Sequence, residues 1–409
     1  MEEGVEDIVI VGAGIAGLAT ALGLHRKGVR SLVLEASEVL RISGFALTIW
    51  TNAWRALDVL GVGDSIRQQH ILLQGFVVSS ASGAITSELS FKKRENQGKK
   101  LEVRCVKRNI LLETLERELP SGTIRYSSKI VSIEEDGNVK ILHLTDGSII
   151  KTKFLSLQVL IGCDGINSQV AKWLGLKKPA YTGRSATRGV AEFSSDHNLK
   201  PEFLQIVGKG YRSGLLPCSE RSVYWFFTWS PSPEEMEAAE ESATKMRQYV
   251  LSKLTNVPKE VKQVIEISEI GEVVSTPLRY RSPFSLLWGN ITKRNVCVAG
   301  DALHPMTPDL GQGGCSALED SIVLAKCLSE AILEGHKGAQ EEYDRIKLAL
   351  DKYARIRRWR SFQLITTAYL VGFIQQSSGA VITFLRDKFL SRWMAKMLLK
   401  MSDYGYEKL

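Results

Sequence analysis

The chain has 409 residues, of which 44% are hydrophobic and 24% charged, with 34 glycines and 11 prolines. With a mean hydropathy of −0.05, these values exclude disorder, a collagen-like chain and a polytopic membrane protein, and the length suits two or three structural units. The net charge is +8, but residues 343–409 hold 13 Lys and Arg against 5 Asp and Glu, so the rest is neutral overall. Basicity confined to a tail, with no aromatic-interleaved module, argues against a nucleic-acid partner. The six cysteines include no CxxC pair and the six histidines no HxH or HExxH cluster. Reduced thiols and no metal site are expected.

The chain starts with the acidic Met1–Asp7, unlike a secretory or transit segment, so a cytoplasmic location is expected. The β-branched run 7–11 reads as a buried parallel strand, 18–27 as a helix and 30–35 as a second strand, making a βαβ unit. Residues 109–118 read as a helix and 129–134 with 139–144 as a strand pair. Gln158–Ile161 reads as another buried strand. From 187 to 230 the pattern becomes long antiparallel strands rich in aromatics. A charged helix is expected over 234–254, a buried parallel strand over 295–299 and a helix over 316–330. The uncharged stretch 362–385 is broken by Gln375–Gly379 and reads as two helices instead of one membrane span. The run 384–401, with Arg386, Lys388, Arg392, Lys396 and Lys400, reads as a basic amphipathic helix. It packs on the body or makes weak contact with an anionic membrane surface.

Three segments carry chemistry. The first is Gly12-Ala13-Gly14-x-x-Gly17 between strand and helix, with Glu35 ending the next strand. Glycines there allow a tight turn, close approach of a pyrophosphate and close helix packing. The helix N-terminus favours phosphate, and the carboxylate accepts hydrogen bonds from a ribose. This motif alone does not separate NAD from FAD. Gly208-x-Gly210 lacks a following helix and is set aside. The second segment is a strand ending in Cys163-Asp164-Gly165. The third is a strand ending in Gly300-Asp301, followed by His304-Pro305, the loop to Gly311-Gln312-Gly313-Gly314, and a helix.

In this order and spacing the three segments resemble the group A flavoprotein monooxygenases, the para-hydroxybenzoate hydroxylase-like family. The wording is most similar to plant members described as salicylate- or urate-hydroxylase-like. The resemblance implies an α/β fold: a discontinuous Rossmann-like FAD-binding domain (1–75, 100–180, 286–335), an antiparallel β-rich substrate domain (76–99, 181–285) and a C-terminal helical region (336–409). It implies that Asp301 holds the ribityl chain of FAD and that Arg108, with Arg41 as a weaker candidate, contacts the dinucleotide. Asp164 belongs to the motif shared by FAD and the nicotinamide cofactor, and Pro305–Gly314 lies under the isoalloxazine. One departure is a longer segment, 153–158, before Asp164.

For the substrate side, the resemblance to a urate hydroxylase points to Arg212 and Tyr224 as catalytic candidates, with Arg188 as a third. A fixed planar cation suits an anionic or enolate-like ring. The implied activity is hydroxylation of a small aromatic or heteroaromatic substrate through a flavin C4a-hydroperoxide, with NADPH or NADH as donor and O2 as oxidant. Two alternatives are epoxidation of a lipophilic isoprenoid at a membrane surface and a non-catalytic flavin-binding regulator. The sequence does not set the oligomeric state.

Overall fold

The structure is a computed structural model. It describes residues 8–41, 46–91, 101–136, 139–151, 159–232, 234–235, 242–254, 257–334, 338–376 and 397–405. The longer segment at 153–158 and most of the basic run 384–401 lie outside the described residues.

Ile8–Val11 is buried at all four positions because it is the interior strand of a six-stranded sheet, where both faces are covered. The sheet runs Thr292–Lys293, Val296–Val298, Val159–Gly162, Ile8–Val11, Leu32–Leu34, Ile124–Arg125, and every pair is parallel except the Thr292–Lys293 edge. Strands far apart in sequence are therefore neighbours, and their C-terminal ends bring Gly12, Cys163 and Ala299 to one edge. Each fully buried Val or Ile here contributes about 1.5–3 kcal/mol. The helices Ile15–Arg26 and Gly313–Leu333 pack closely, since a Cβ on Gly23 would lie 2.8 Å from the Ala325 Cβ.

The second layer is a seven-stranded sheet in the order Val274–Tyr280, Ala180–Glu192, Ser222–Trp229, Tyr211–Pro217, Glu202–Gly208, Gly75–Ser80, Ile85–Ser90. The expected antiparallel pairing holds with one exception: Glu202–Gly208 pairs parallel with Gly75–Ser80. That strand arrives from an early excursion of the chain, so no hairpin constrains its direction.

Alternation along Ser222–Trp229 sorts its side chains onto two faces. Val223, Trp225, Phe227 and Trp229 join Met246, Val250, Val261 and Val264 in a separate apolar core under the helices Ala243–Lys253 and Lys259–Ile267. Tyr224, Phe226 and Thr228 face a cavity between the two sheets. The 38-residue helix Ala339–Gln376 runs past the sheet layers and lends Val371 and Gln375 to the cavity wall, while Leu398 comes from the segment after it. Among the described residues no helix is long and apolar enough to cross a membrane.

Candidate flavin and substrate site

The strand–turn–helix at the N-terminus forms as the glycine spacing requires. Gly12 has φ +99°, and a Cβ there would lie 2.6 Å from the carbonyl oxygen of Cys163. A Cβ on Gly17 would lie 1.9 Å from the Gly12 oxygen, whereas at Gly14 nothing comes within 4 Å. Gly12 and Gly17 thus serve the chain's own packing, and Gly14 leaves open space on the cavity wall. Glu35 is fixed at the end of its strand by two backbone donors, Ala13 N at 2.8 Å and Ser37 N at 2.9 Å. Arg41 is exposed and lies 3.8 Å from Glu35, and it does not line the cavity. Its carbonyl oxygen accepts from the guanidinium of Arg108, which does line it. Burial and the nearby Arg41 lower the pKa of Arg108, against the pull of Glu35 and Asp301.

Asp164 is placed differently. Its carboxylate accepts from Ser168 Oγ at 2.5 Å and from the backbone N–H of Gln169 at 2.7 Å, so it braces the start of the helix Gln169–Trp173. Its neighbours Cys163 and Gly165, but not Asp164, line the cavity.

Asp301 is the middle residue of a single 3-10 turn, Gly300–Ala302, and does not cap it. It faces the cavity together with Gly300 and has no hydrogen-bond partner among the described residues. Enclosure by protein raises its carboxyl above the usual carboxylate range. Its side chain is exposed to the cavity, so the carboxylate is open to a bound group. Pro305 lies outside the cavity lining and gives its carbonyl to Arg281 N at 3.0 Å. Gly311 takes φ +61°, and a Cβ there would lie 3.2 Å from Trp50 Nε1. Gly313 and Gly314 begin the 21-residue helix on the cavity wall, where the first N–H groups have no intrahelical acceptor. Gln312 turns inward, its Oε1 accepting from Asn52 Nδ2 at 3.0 Å.

The residues present fit FAD. One continuous cavity of about 510 Å³ runs from Gly14 past Arg108 and Asp301 to the Gly313–Gly314 helix start and the sheet face. Added Cβ atoms at Gly14, Gly165 and Gly313 would meet nothing within 4 Å.

The opposite wall carries the substrate candidates. Arg212 is buried; its Nη1 donates to Gln375 Oε1 at 2.5 Å and its Nη2 lies 3.0 Å from Asp309. Burial lowers its pKa, with Asp309 opposing. Asp309 also pairs with Arg184 at 2.8 Å. Burial alone would raise its carboxyl, but Arg212 and Arg184 hold it below the usual range. Tyr224 lines the same wall, and burial pushes its hydroxyl up to about 12, so it is a donor at neutral pH. Arg188 lines the cavity as well.

Arg184, Asp309 and Gln205 escaped sequence reasoning. Asp309 was visible inside the Pro305–Gly314 loop, but its partners come from strands more than 90 residues away. A second missed group lies behind the loop. His304 Nε2 meets Asp320 Oδ2 at 2.6 Å, and Arg357 lies 2.5 Å from Asp320 and 2.8 Å from Glu319. Arg360 grips Glu319 at 2.7 and 3.1 Å and donates to the Met401 carbonyl at 2.7 Å. Part of the basic tail is thus internal.

The family model for an FAD-binding domain matches residues 6–363. The chain is 52% identical to Monooxygenase 2 of Arabidopsis thaliana over 98% of each chain. It is 26% identical to a protein of Klebsiella pneumoniae named FAD-dependent urate hydroxylase, over 94% of this chain and 98% of that one. Klebsiella pneumoniae HpxO, solved in complex with FAD and uric acid, superimposes with a TM-score of 0.81 at 23% identity, covering 98% of this chain and 97% of that one. With the motif geometry, these likenesses show that the chain belongs to the FAD-binding monooxygenase family and is an FAD-dependent enzyme of the group A type.

Proposed function

We propose that the chain hydroxylates a small heteroaromatic or aromatic ring that carries an anionic or enolisable oxygen, with NADPH or NADH as electron donor. The observation behind this reading is the two-sided cavity. One wall is a helix start and glycine loop suited to a flavin ring. The other is a sheet face carrying Arg212, Tyr224 and aromatic side chains. Relatives named for urate hydroxylation support the heteroaromatic class.

Bound FAD supplies the redox chemistry that takes electrons from the nicotinamide and activates O2. The chain does the rest. Arg212 fixes the ring oxygen and favours its anionic form, which makes the ring electron-rich. The Tyr224 hydroxyl, protonated at neutral pH, donates a hydrogen bond to the substrate. Phe76, Phe203 and Phe226 enclose the ring's faces, with Phe76–Phe203 centroids 4.7 Å apart and Phe203–Phe226 6.1 Å apart, and keep water out. The backbone N–H groups at Gly313 and Gly314 favour negative charge on the adjacent ring system. Buried polar groups on the sheet face count against a hydrocarbon such as an isoprenoid, which would leave them unpaired.

The test is NADPH and NADH oxidation by the FAD-loaded protein with a panel of urate, hydroxypyridines and phenols, with products read by mass spectrometry. Stimulation with an oxygenated product is expected. Stimulation that gives only H2O2 for every ligand overturns the hydroxylase reading.

A further inference from the structure

Gln205 is 3% exposed, lines the cavity and carries an Nε2 without a hydrogen-bond acceptor. The Nε of Arg212, 2% exposed, is likewise without one. The sheet register places the two together. Val207 stands opposite Arg212 and Gln205 opposite Gly214, so Gln205 and Arg212 are diagonal neighbours on one face of adjacent strands. That separation is about 7–8 Å at the backbone, within reach of long side chains. Gly214 makes room for aromatic rings between them. A Cβ there would lie 2.4 Å from a Phe226 ring atom and 3.0 Å from one of Phe203. The amide therefore sits beside an aromatic slot that offers it no acceptor. Two unpartnered buried donors on residues of one cavity wall are costly unless a ligand satisfies them.

We propose that Gln205 is a specificity-determining residue whose amide donates to a second acceptor on the substrate, next to the oxygen held by Arg212. The inference rests on the hydroxylase reading above and narrows it. The substrate class is a ring with two neighbouring oxygen or nitrogen acceptors, at least one of them anionic. The charge agrees: Arg212, a fixed cation, is buried on this same wall.

The test uses FAD-loaded protein and ligand titrations read from the flavin spectrum. Guaiacol, with an ether oxygen beside its phenol oxygen, is compared with 2-ethylphenol, which has the phenol oxygen alone, and 2-hydroxyacetophenone is compared with 2-isopropenylphenol. In at least one pair the wild type binds the two-acceptor member ten-fold or more tightly than its mate. Gln205→Leu, of similar volume, erases that preference while the one-acceptor mate and FAD bind within two-fold of wild type. Gln205→Glu weakens the two-acceptor ligand further, because a carboxylate repels the acceptor. No wild-type preference in either pair overturns the proposal. So does a preference unchanged in Gln205→Leu, or tighter binding in Gln205→Glu, which would make the amide an acceptor. Failure of the hydroxylase reading shows separately, as wild type without ligand-stimulated NAD(P)H oxidation.

Discussion

Two buried arginine–carboxylate clusters flank the loop Pro305–Gly314, and they are built differently. Behind the loop, Arg357 and Arg360 meet Glu319 and Asp320, two cations to two anions, and His304, Asn52 and the Met401 carbonyl take up further bonds. In front of it, Arg184 and Arg212 both reach Asp309, and Arg212 Nε has no acceptor. A charge-balanced network ties elements together, here the flavin-side helix, the long helix and the C-terminal segment. One that lines a cavity holds polar groups ready for a ligand. A buried ion pair is weak evidence for stability in itself. The difference between the clusters lies in the cavity: Arg212 and Asp309 line it, and Glu319, Asp320, Arg357 and Arg360 do not.

Breaking the balanced cluster gives the largest effect. Arg357→Ala leaves Asp320 and Glu319 short of a cation at zero exposure, at a cost of about 3–5 kcal/mol. Urea denaturation should show a correspondingly lower midpoint, or no soluble protein, whether or not ligand is present. A variant as stable as wild type would remove the structural role given to this cluster. The front cluster should respond in catalysis more than in folding. Arg212→Met keeps much of the packing and leaves Asp309 its pair with Arg184. Ligand-stimulated kcat/KM for NADPH oxidation should fall ~100-fold or more, with a smaller change in the unfolding midpoint than Arg357→Ala produces. Equal losses of stability in the two variants would erase the distinction.

The same contrast explains what the sequence made legible. The βαβ unit was readable because its signal is local: a β-branched run, glycines and a carboxylate at fixed offsets. Gly12 and Gly17 do what that pattern requires. Asp301 was readable from its place after a strand, and it faces the cavity without capping its own turn. Asp164 shows the limit, since the same strand–Asp–Gly pattern suits a residue that braces its own helix, as its bonds to Ser168 and Gln169 show. The clusters were not readable. Arg184, Arg212 and Asp309 lie on three separate segments, and nothing local tells Arg357, fully buried, from exposed Arg355 on the same helix. Gln205 was silent for another reason: a polar residue inside an apolar run reads alike whether it meets a ligand or the core.

A smaller effect sharpens the flavin side. Asp301→Ala removes the carboxylate facing the cavity. If it accepts from a bound hydroxyl, FAD affinity should drop ~10–100-fold, the range of a lost charge-assisted hydrogen bond. Equilibrium dialysis against FAD measures this. Unchanged affinity would transfer the role to other groups on the wall.

The smallest effect is a pH dependence of the FAD-free protein. Burial raises the Asp301 carboxyl above its usual range, so folding is penalised at pH values above the raised pKa, where the group is charged. The penalty lessens as pH falls through that value. It is gone below the unfolded carboxyl's pKa of about 3.9, where both states are protonated. Asp309 has the opposite sign. Its carboxyl is held low by Arg212 and Arg184, so its contribution is present above the unfolded pKa and is lost only as pH falls through the depressed value. Between neutral pH and about pH 4, the difference in stability between wild type and Asp301→Asn should therefore shrink on acidification, while the Asp309 contribution stays constant. Denaturation midpoints of the two FAD-free proteins across that range decide the matter. Parallel profiles would mean that the carboxyl at 301 titrates normally and that its enclosure costs the apoprotein nothing.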